Sequence, residues 1–380
     1  MLPVVNPIFL LQSVSQKQHC LDLIWSDGSQ SRFNFLWLRD NCPTTLHPDT
    51  QERVFDQLSI SANIHPLKVS IENDQLLIDW SEQHHHSEFP GSWLRNHAYS
   101  GDLKPGNRPA SRSWDNSFLD QINSVNYIDL MQDNEALYAW MKQLDQDGLS
   151  LVQNMPSTKT ALNEVTNRID YQRQTNFGIT FEVKTEPKPT NLAYTALALP
   201  LHTDLSNQET PPGYQFLHCL ANESAGGESL FADGLRILEE LRLEDNEHFE
   251  LLANHAIPFR FHDDEHDIYH HHPVINLDHQ GNIIELKYNA HLASIFDLPE
   301  DIMHDYYLAY RELMARVRSP KYRITLKLTE GTMAVFDNRR VLHGREAFEP
   351  TGNRHLRGCY IDRSEFQSRL RVLKKRLDKA

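Results

Sequence analysis

Apolar residues alternate with polar ones near the start of the chain, at Leu21, Leu23 and Trp25, and stop at Ser26-Asp27-Gly28; a second run follows through Phe33, Phe35 and Trp37. Alternation around a glycine-containing turn predicts short strands. Residues 76–80 supply another, and from 93 to 114 the chain becomes rich in Asn, Pro, Gly and Ser. That composition suits a linker. It predicts a small β-rich accessory domain over 1–110, linker included, and a larger domain over 111–380.

In the larger domain the apolar period lengthens to that of a helix over 128–146, with Gly148 as the stop, and again over 160–171. Strand-like runs then dominate, at 214–220, 229–232, 274–277, 283–288, 322–328, 333–336 and 356–361, interrupted by two long helices over 234–256 and 299–316. A last helix opens at Ser364-Glu365-Phe366-Gln367, a capping-box spacing that predicts a bond from Ser364 to the amide of Gln367. No internal repeat or low-complexity tract is evident. Many short strands wrapped by a few helices predict a mainly β protein with flanking helices, a sandwich or jelly roll (double-stranded β-helix). A doubly wound dinucleotide fold lacks its glycine fingerprint here.

Charge narrows the partners. The formal net charge is −15, which repels phosphate backbones and anionic membranes and favours cationic small molecules. Neither nucleic acid nor membrane is expected as a partner. Cys20, Cys42, Cys219 and Cys359 are far apart and form no CxxC pair, and mean hydropathy is −0.56. Together with the absence of a charged-then-apolar leader, these features predict a reduced, cytoplasmic protein.

The chemistry begins at Leu199-Pro200-Leu201-His202-Thr203-Asp204. On an extended strand the imidazole and the carboxylate, two residues apart, leave on one face. A third ligand is available in His343, at the end of a late strand pattern. Two histidines and a carboxylate occupy one face of an octahedron and leave three positions open, the arrangement of non-haem Fe(II) oxygenases. With 21 histidines in the chain such a triplet also arises by chance, but Arg354, on the next strand pattern, places a fixed cation near His343.

Residues 202–233, the run FDNRRVLHGREAF at 336–348 and RHLRGCYIDR at 354–363 resemble the γ-butyrobetaine dioxygenase and trimethyllysine dioxygenase branch of the taurine-dioxygenase-like oxygenases. The likeness covers nearly the whole chain, including Trp37-Leu38-Arg39-Asp40-Asn41-Cys42 in the first domain. It implies oxidative decarboxylation of 2-oxoglutarate to succinate and CO2, driven by Fe(II) and O2 and coupled to hydroxylation of a small trimethylammonium acid. γ-Butyrobetaine, giving carnitine, is the first expectation; trimethyllysine, a trimethylammonium phosphonate and a binding protein without turnover are the alternatives. By the same resemblance Arg354 and Ser229 hold the far carboxylate of 2-oxoglutarate. The aromatic cage for the ammonium falls on Phe177, Phe181, Tyr194 and Tyr360, and the anionic end of the substrate on Asn191 and Asn289. Leu205 stands where the vertebrate-type enzyme has a tyrosine, and leucine cannot donate a hydrogen bond.

The resemblance also implies a structural zinc in the first domain, on a Cys-x-Cys-x2-Cys set and a distant histidine. The matching positions include Thr44 and His47, and threonine is not a usual zinc ligand. A domain without zinc is therefore expected, with Cys42, His47 and one of His84, His85 and His86 as the residues left that could bind it. A docking or dimer-supporting role, and a homodimer, follow by fold-level analogy.

Overall fold

The computed structural model describes residues 9–82, 84–100, 111–184, 195–349 and 352–379. The chain divides into two compact units, Met1–Arg108 and Pro109–Ala380. No helix among the described residues is long and apolar enough to cross a membrane.

The first unit contains two three-stranded antiparallel sheets, Leu11–Gln16 with Cys20–Trp25 and Gln30–Asn34, and Pro66–Glu72 with Gln75–Trp80 and His86–Pro90. Each third strand runs into a short helix, Phe35–Asp40 or Gly91–Asn96. Each middle strand ends on a buried tryptophan whose indole N–H bonds a serine of the next strand: Trp25 to Ser31 at 2.9 Å and Trp80 to Ser87 at 2.8 Å. The unit is thus built twice over, although its sequence shows no repeat; what recurs is the alternation of burial and one buried donor with its acceptor. Phe35 and Trp37, read as strand, are helical, because Asn34 accepts the amides of Leu36 and Trp37 as an N-cap.

In the second unit a six-stranded sheet faces a four-stranded one. The larger runs in the order Ser124–Asn126, Leu149–Gln153, Met333–Asp337, Tyr214–Asn222, Arg354–Ile361, Thr180–Val183; the smaller runs Leu199–His202, Val341–Arg345, Ser229–Asp233, Arg323–Leu326. Every pairing in them is antiparallel except the first in the larger sheet. Phe231 of one sheet meets Phe336 of the other edge to face at 5.3 Å, within a core that includes Leu149, Ile324 and Leu356. This is the expected jelly-roll sandwich. Its outer face is covered by helices Asn134–Asp147 and Arg363–Leu377, which bury Trp140, Leu144 and Phe366.

Three expectations are corrected. The helix expected over 128–146 is two, Tyr127–Gln132 and Asn134–Asp147, and that over 234–256 is also two, Gly234–Glu244 and Asn246–Asn254. Asp133 and Asp245 end one helix and cap the next through their carboxylates, a competition with the helical backbone that apolar periodicity does not reveal. Ser364 lies inside the last helix, whose N-cap position is Asp362, and its hydroxyl donates to Glu365 at 2.5 Å, not to Gln367.

Candidate active site

Strand Leu199–His202 pairs with Val341–Arg345 in a register that sets His202 opposite His343. Directly opposed residues share a face, and the two rings lie 4.4 Å apart. Asp204 does not continue the strand as its spacing suggested. The strand ends at His202, and residues 204–207 form a turn in which Leu205 has φ 57°, a left-handed conformation that costs a residue with a β-carbon about 1–2 kcal/mol. The surroundings hold it there. Fully buried Asn338 accepts the Asp204 amide at 2.7 Å and donates to the Asp204 carbonyl at 3.1 Å and that of Pro212 at 3.2 Å. The amide of Thr203 bonds the carbonyl of Tyr288 at 2.7 Å.

The resulting ligand atoms of His202, Asp204 and His343 lie within 4.8 Å of one another, and among the described residues no other group of three such side chains converges. His202 Nδ1–H donates to the carbonyl of Pro200 at 2.9 Å, which leaves the Nε2 lone pair for the centre. Burial alone would raise the Asp204 pKa, but His343 and His202 outweigh it and hold the carboxyl well below its ordinary value. Burial lowers the His343 pKa. An ionised carboxylate and a neutral imidazole are the states that bind metal. The donor set fits a mononuclear Fe(II) with open positions.

The three residues face a cavity of about 370 Å³. Arg354 also faces it, buried on strand Arg354–Ile361, with Nε and Nη1 lacking any partner among the described residues and Nη2 3.4 Å from the carbonyl of Gly227. Arg345 lies close by, and the two guanidiniums stand over the ring of Phe348 at 4.9 and 5.0 Å. Burial and the charge of Arg354 press the Arg345 pKa down to about 10. Arg345 is committed to the carbonyls of Thr195 and Leu197, at 2.8 and 2.9 Å. Buried Ser229 stands opposite Arg345 in the register and lines the same cavity. A buried cation with unmet N–H groups is costly unless an anion arrives; 2-oxoglutarate, with a carboxylate at each end, fits both this charge and the metal set.

Of the expected cage, Phe177, Phe181 and Tyr360 line the cavity. Phe181 packs on Tyr360 at 5.2 Å, and Gly358, opposite Phe181 in the register, leaves the space its ring occupies. Tyr360 also donates its hydroxyl to Asp204 Oδ2 at 2.6 Å. Asn191 and Tyr194 lie outside the described residues. Asn289 lines the cavity, but its Nδ2 bonds the carbonyl of Thr203 at 3.1 Å and its Oδ1 accepts the amides of His291 and Leu292 at 3.1 and 3.2 Å. Much of its bonding capacity therefore braces the loop.

Sequence reasoning missed Arg260, Phe261 and His262, which reach the cavity from hairpin Ala256–His262 and Asp267–Pro273. Phe261 meets Phe177 edge to face at 5.5 Å. The signal was the alternation of Ile257, Phe259 and Phe261, hidden because the preceding helix was extended to 256. Gln215 and His291 were missed as well.

In the first unit the zinc residues do not assemble. Cys42 Sγ is 3.4 Å from His85 Nε2 and 3.2 Å from Thr44 Oγ1, while His47 Nδ1 accepts the amides of Asp49 and Thr50 at 3.3 Å each. His47 Nδ1 is thus engaged as a turn acceptor, and among the described residues no group of three His, Cys, Asp or Glu side chains converges in this unit.

A jelly roll that sets a His-Asp-His group beside a buried arginine with no carboxylate partner among the described residues has the architecture of a 2-oxoglutarate-dependent dioxygenase. The chain belongs to the taurine catabolism dioxygenase TauD, TfdA family, whose model matches residues 107–360, while residues 12–113 match the N-terminal region of gamma-butyrobetaine hydroxylase-like proteins. It is 38% identical to a gamma-butyrobetaine dioxygenase of Pseudomonas sp. (strain AK-1), with 98% of each chain covered. It is 30% identical to human mitochondrial trimethyllysine dioxygenase over 90% of this chain and 83% of that one. The solved structure of AAD-2 in complex with Mn(II) and N-oxalylglycine shares the fold, with TM-score 0.51 and 14% identity, covering 66% of this chain and 97% of that one.

Proposed function

We propose that this enzyme hydroxylates a small trimethylammonium acid, γ-butyrobetaine in the first place, to give carnitine. One observation carries the reading: the metal set, the buried Arg354 and the aromatic rings of Phe177, Phe181, Phe261 and Tyr360 all face one cavity. A trimethylammonium group has no N–H to donate, so ring faces recognise it best. The likeness to gamma-butyrobetaine dioxygenase over the full chain supports the choice.

In this reading His202, Asp204 and His343 hold Fe(II), and Arg354 with Ser229 holds the far carboxylate of 2-oxoglutarate. The bound metal, with 2-oxoglutarate and O2, supplies the oxidising power, one oxygen atom going to succinate and the other to the substrate as hydroxyl. The residues themselves orient and enclose. The rings of Phe177, Phe181, Phe261 and Tyr360 hold the ammonium and exclude water; Tyr194 as a further cage ring and Asn191 as a partner of the anionic end are roles that rest on the resemblance alone. The proposal extends to a cytoplasmic homodimer, for which light scattering and cell fractionation are the checks.

The test is succinate formation with Fe(II) and 2-oxoglutarate against γ-butyrobetaine, trimethyllysine and a trimethylammonium phosphonate, with the product identified by mass spectrometry. Carnitine from γ-butyrobetaine at the highest kcat/KM is expected. Faster turnover of another member of the panel reassigns the substrate.

A further inference from the structure

Tyr360 belongs to two parts of the site at once. Its ring packs against Phe181 at 5.2 Å and forms cavity wall, as the cage requires. Its hydroxyl does something a cage does not: it donates to Asp204 Oδ2 at 2.6 Å. That length is typical of a charge-assisted O–H···O⁻ bond, and Tyr360 is only 4% exposed, so little water competes.

The contacts of Asp204 separate into two kinds. Asn338 grips the backbone, taking its amide and supplying its carbonyl. That fixes where the residue sits but leaves the carboxylate free to turn about Cβ–Cγ. The two oxygens then differ in their neighbours: Oδ1 lies 3.2 Å from His202 Nε2, whereas Oδ2 has the Tyr360 hydroxyl and stands 3.5 Å from His343 Nε2.

We infer that Tyr360 is a positioning residue for the metal: its hydroxyl occupies Oδ2, holds the carboxylate plane, and presents Oδ1 as the single metal-binding oxygen. A carboxylate tethered this way binds through one oxygen and leaves the remaining positions to the cosubstrate and O2. Untethered, it can rotate or chelate through both oxygens and consume a position the reaction needs. The same side chain thus forms cage wall and sets the iron ligand. The inference rests on His202, Asp204 and His343 being the iron set, and not on which substrate is taken.

The decisive variant is Tyr360→Phe, which removes one oxygen atom and keeps the ring contacts. The protein without substrate is titrated with Mn(II), the free ion being followed by electron paramagnetic resonance. Outer partners of metal ligands typically contribute ten- to hundredfold in affinity, so Tyr360→Phe is expected to bind Mn(II) about ten- to hundredfold more weakly. Its Fe(II)–2-oxoglutarate absorption, recorded without oxygen, is expected to shift as well. His202→Ala serves as the reference. If His202→Ala loses Mn(II) while Tyr360→Phe binds it as the native protein does, the positioning role is overturned and the metal set stands, even if turnover falls. If His202→Ala binds Mn(II) undiminished, the metal set itself is wrong.

Discussion

Replacing Arg354 by Met separates binding from stability in a way that follows from its surroundings. Arg354 is 8% exposed, two of its three guanidinium nitrogens have no partner among the described residues, and the charge of Arg345 is close by. Methionine is unbranched, pliable and apolar, and fills much of the same path beside Phe348. For 2-oxoglutarate the loss is a bidentate contact. Each hydrogen bond to a charged partner contributes about 1.5–3 kcal/mol, so two remove roughly 3–6 kcal/mol. At about 1.4 kcal/mol per tenfold this is roughly a 10²- to 10⁴-fold rise in the apparent requirement for 2-oxoglutarate. For the ligand-free protein the sign reverses: a buried charge with no carboxylate partner among the described residues is removed and its repulsion with Arg345 vanishes, so the melting temperature holds or rises. Initial rates of succinate formation across a range of 2-oxoglutarate concentrations give the first quantity, and thermal melts without ligand the second. An unchanged requirement, or a melt several degrees lower, refutes the reasoning. Arg357 is no substitute, because it is already engaged by Glu182 and Thr180.

Further outcomes are expected. His202→Ala, Asp204→Ala and His343→Ala each remove one of three ligands, so each abolishes iron-dependent turnover while circular dichroism stays native; full activity in any purified variant contradicts the assignment. Phe181→Leu weakens γ-butyrobetaine more than its uncharged tert-butyl isostere, by about 0.5–2 kcal/mol in a competition assay; equal losses mean the ring is ordinary packing. His218, fully buried with neither ring nitrogen partnered among the described residues, has its pKa lowered by burial from 6.5 to about 4. The unfolded chain therefore takes up that proton first, and stability is full above about 6.5 and declines as pH falls towards 4, by roughly 3 kcal/mol in all. In His218→Leu that part of the acid slope disappears from denaturant melts.

The sequence made the jelly roll and the metal residues legible for a physical reason. Buried strands carry dense apolar runs, as in Met333–Asp337, and metal ligands must be of few residue types. What it hid were the points where polar side chains compete with the backbone. Asp133 and Asp245 each cut a continuous apolar period into two helices, and Leu205 turns the chain where an extended strand was expected. Asn289 was placed at the substrate by likeness, yet its amide largely braces the loop around Thr203. The double use of Tyr360 was invisible for another reason. A side chain at one wall of a cavity declares its ring through sequence likeness, whereas the partner of its hydroxyl, 156 positions away in the chain, is decided by the fold alone.

The turn between Met333–Asp337 and Val341–Arg345 carries both Asn338, which clamps Asp204, and the approach to His343. Two of the three ligands are therefore indexed to a single short piece of chain, and the third, His202, is held by strand pairing to its neighbour. No link in this chain of placement passes through the ion. The iron centre is in that sense a socket shaped by backbone hydrogen bonds and strand register, so stripping the metal with a chelator is expected to leave the far-ultraviolet circular dichroism unchanged, and a loss of that signal would contradict it.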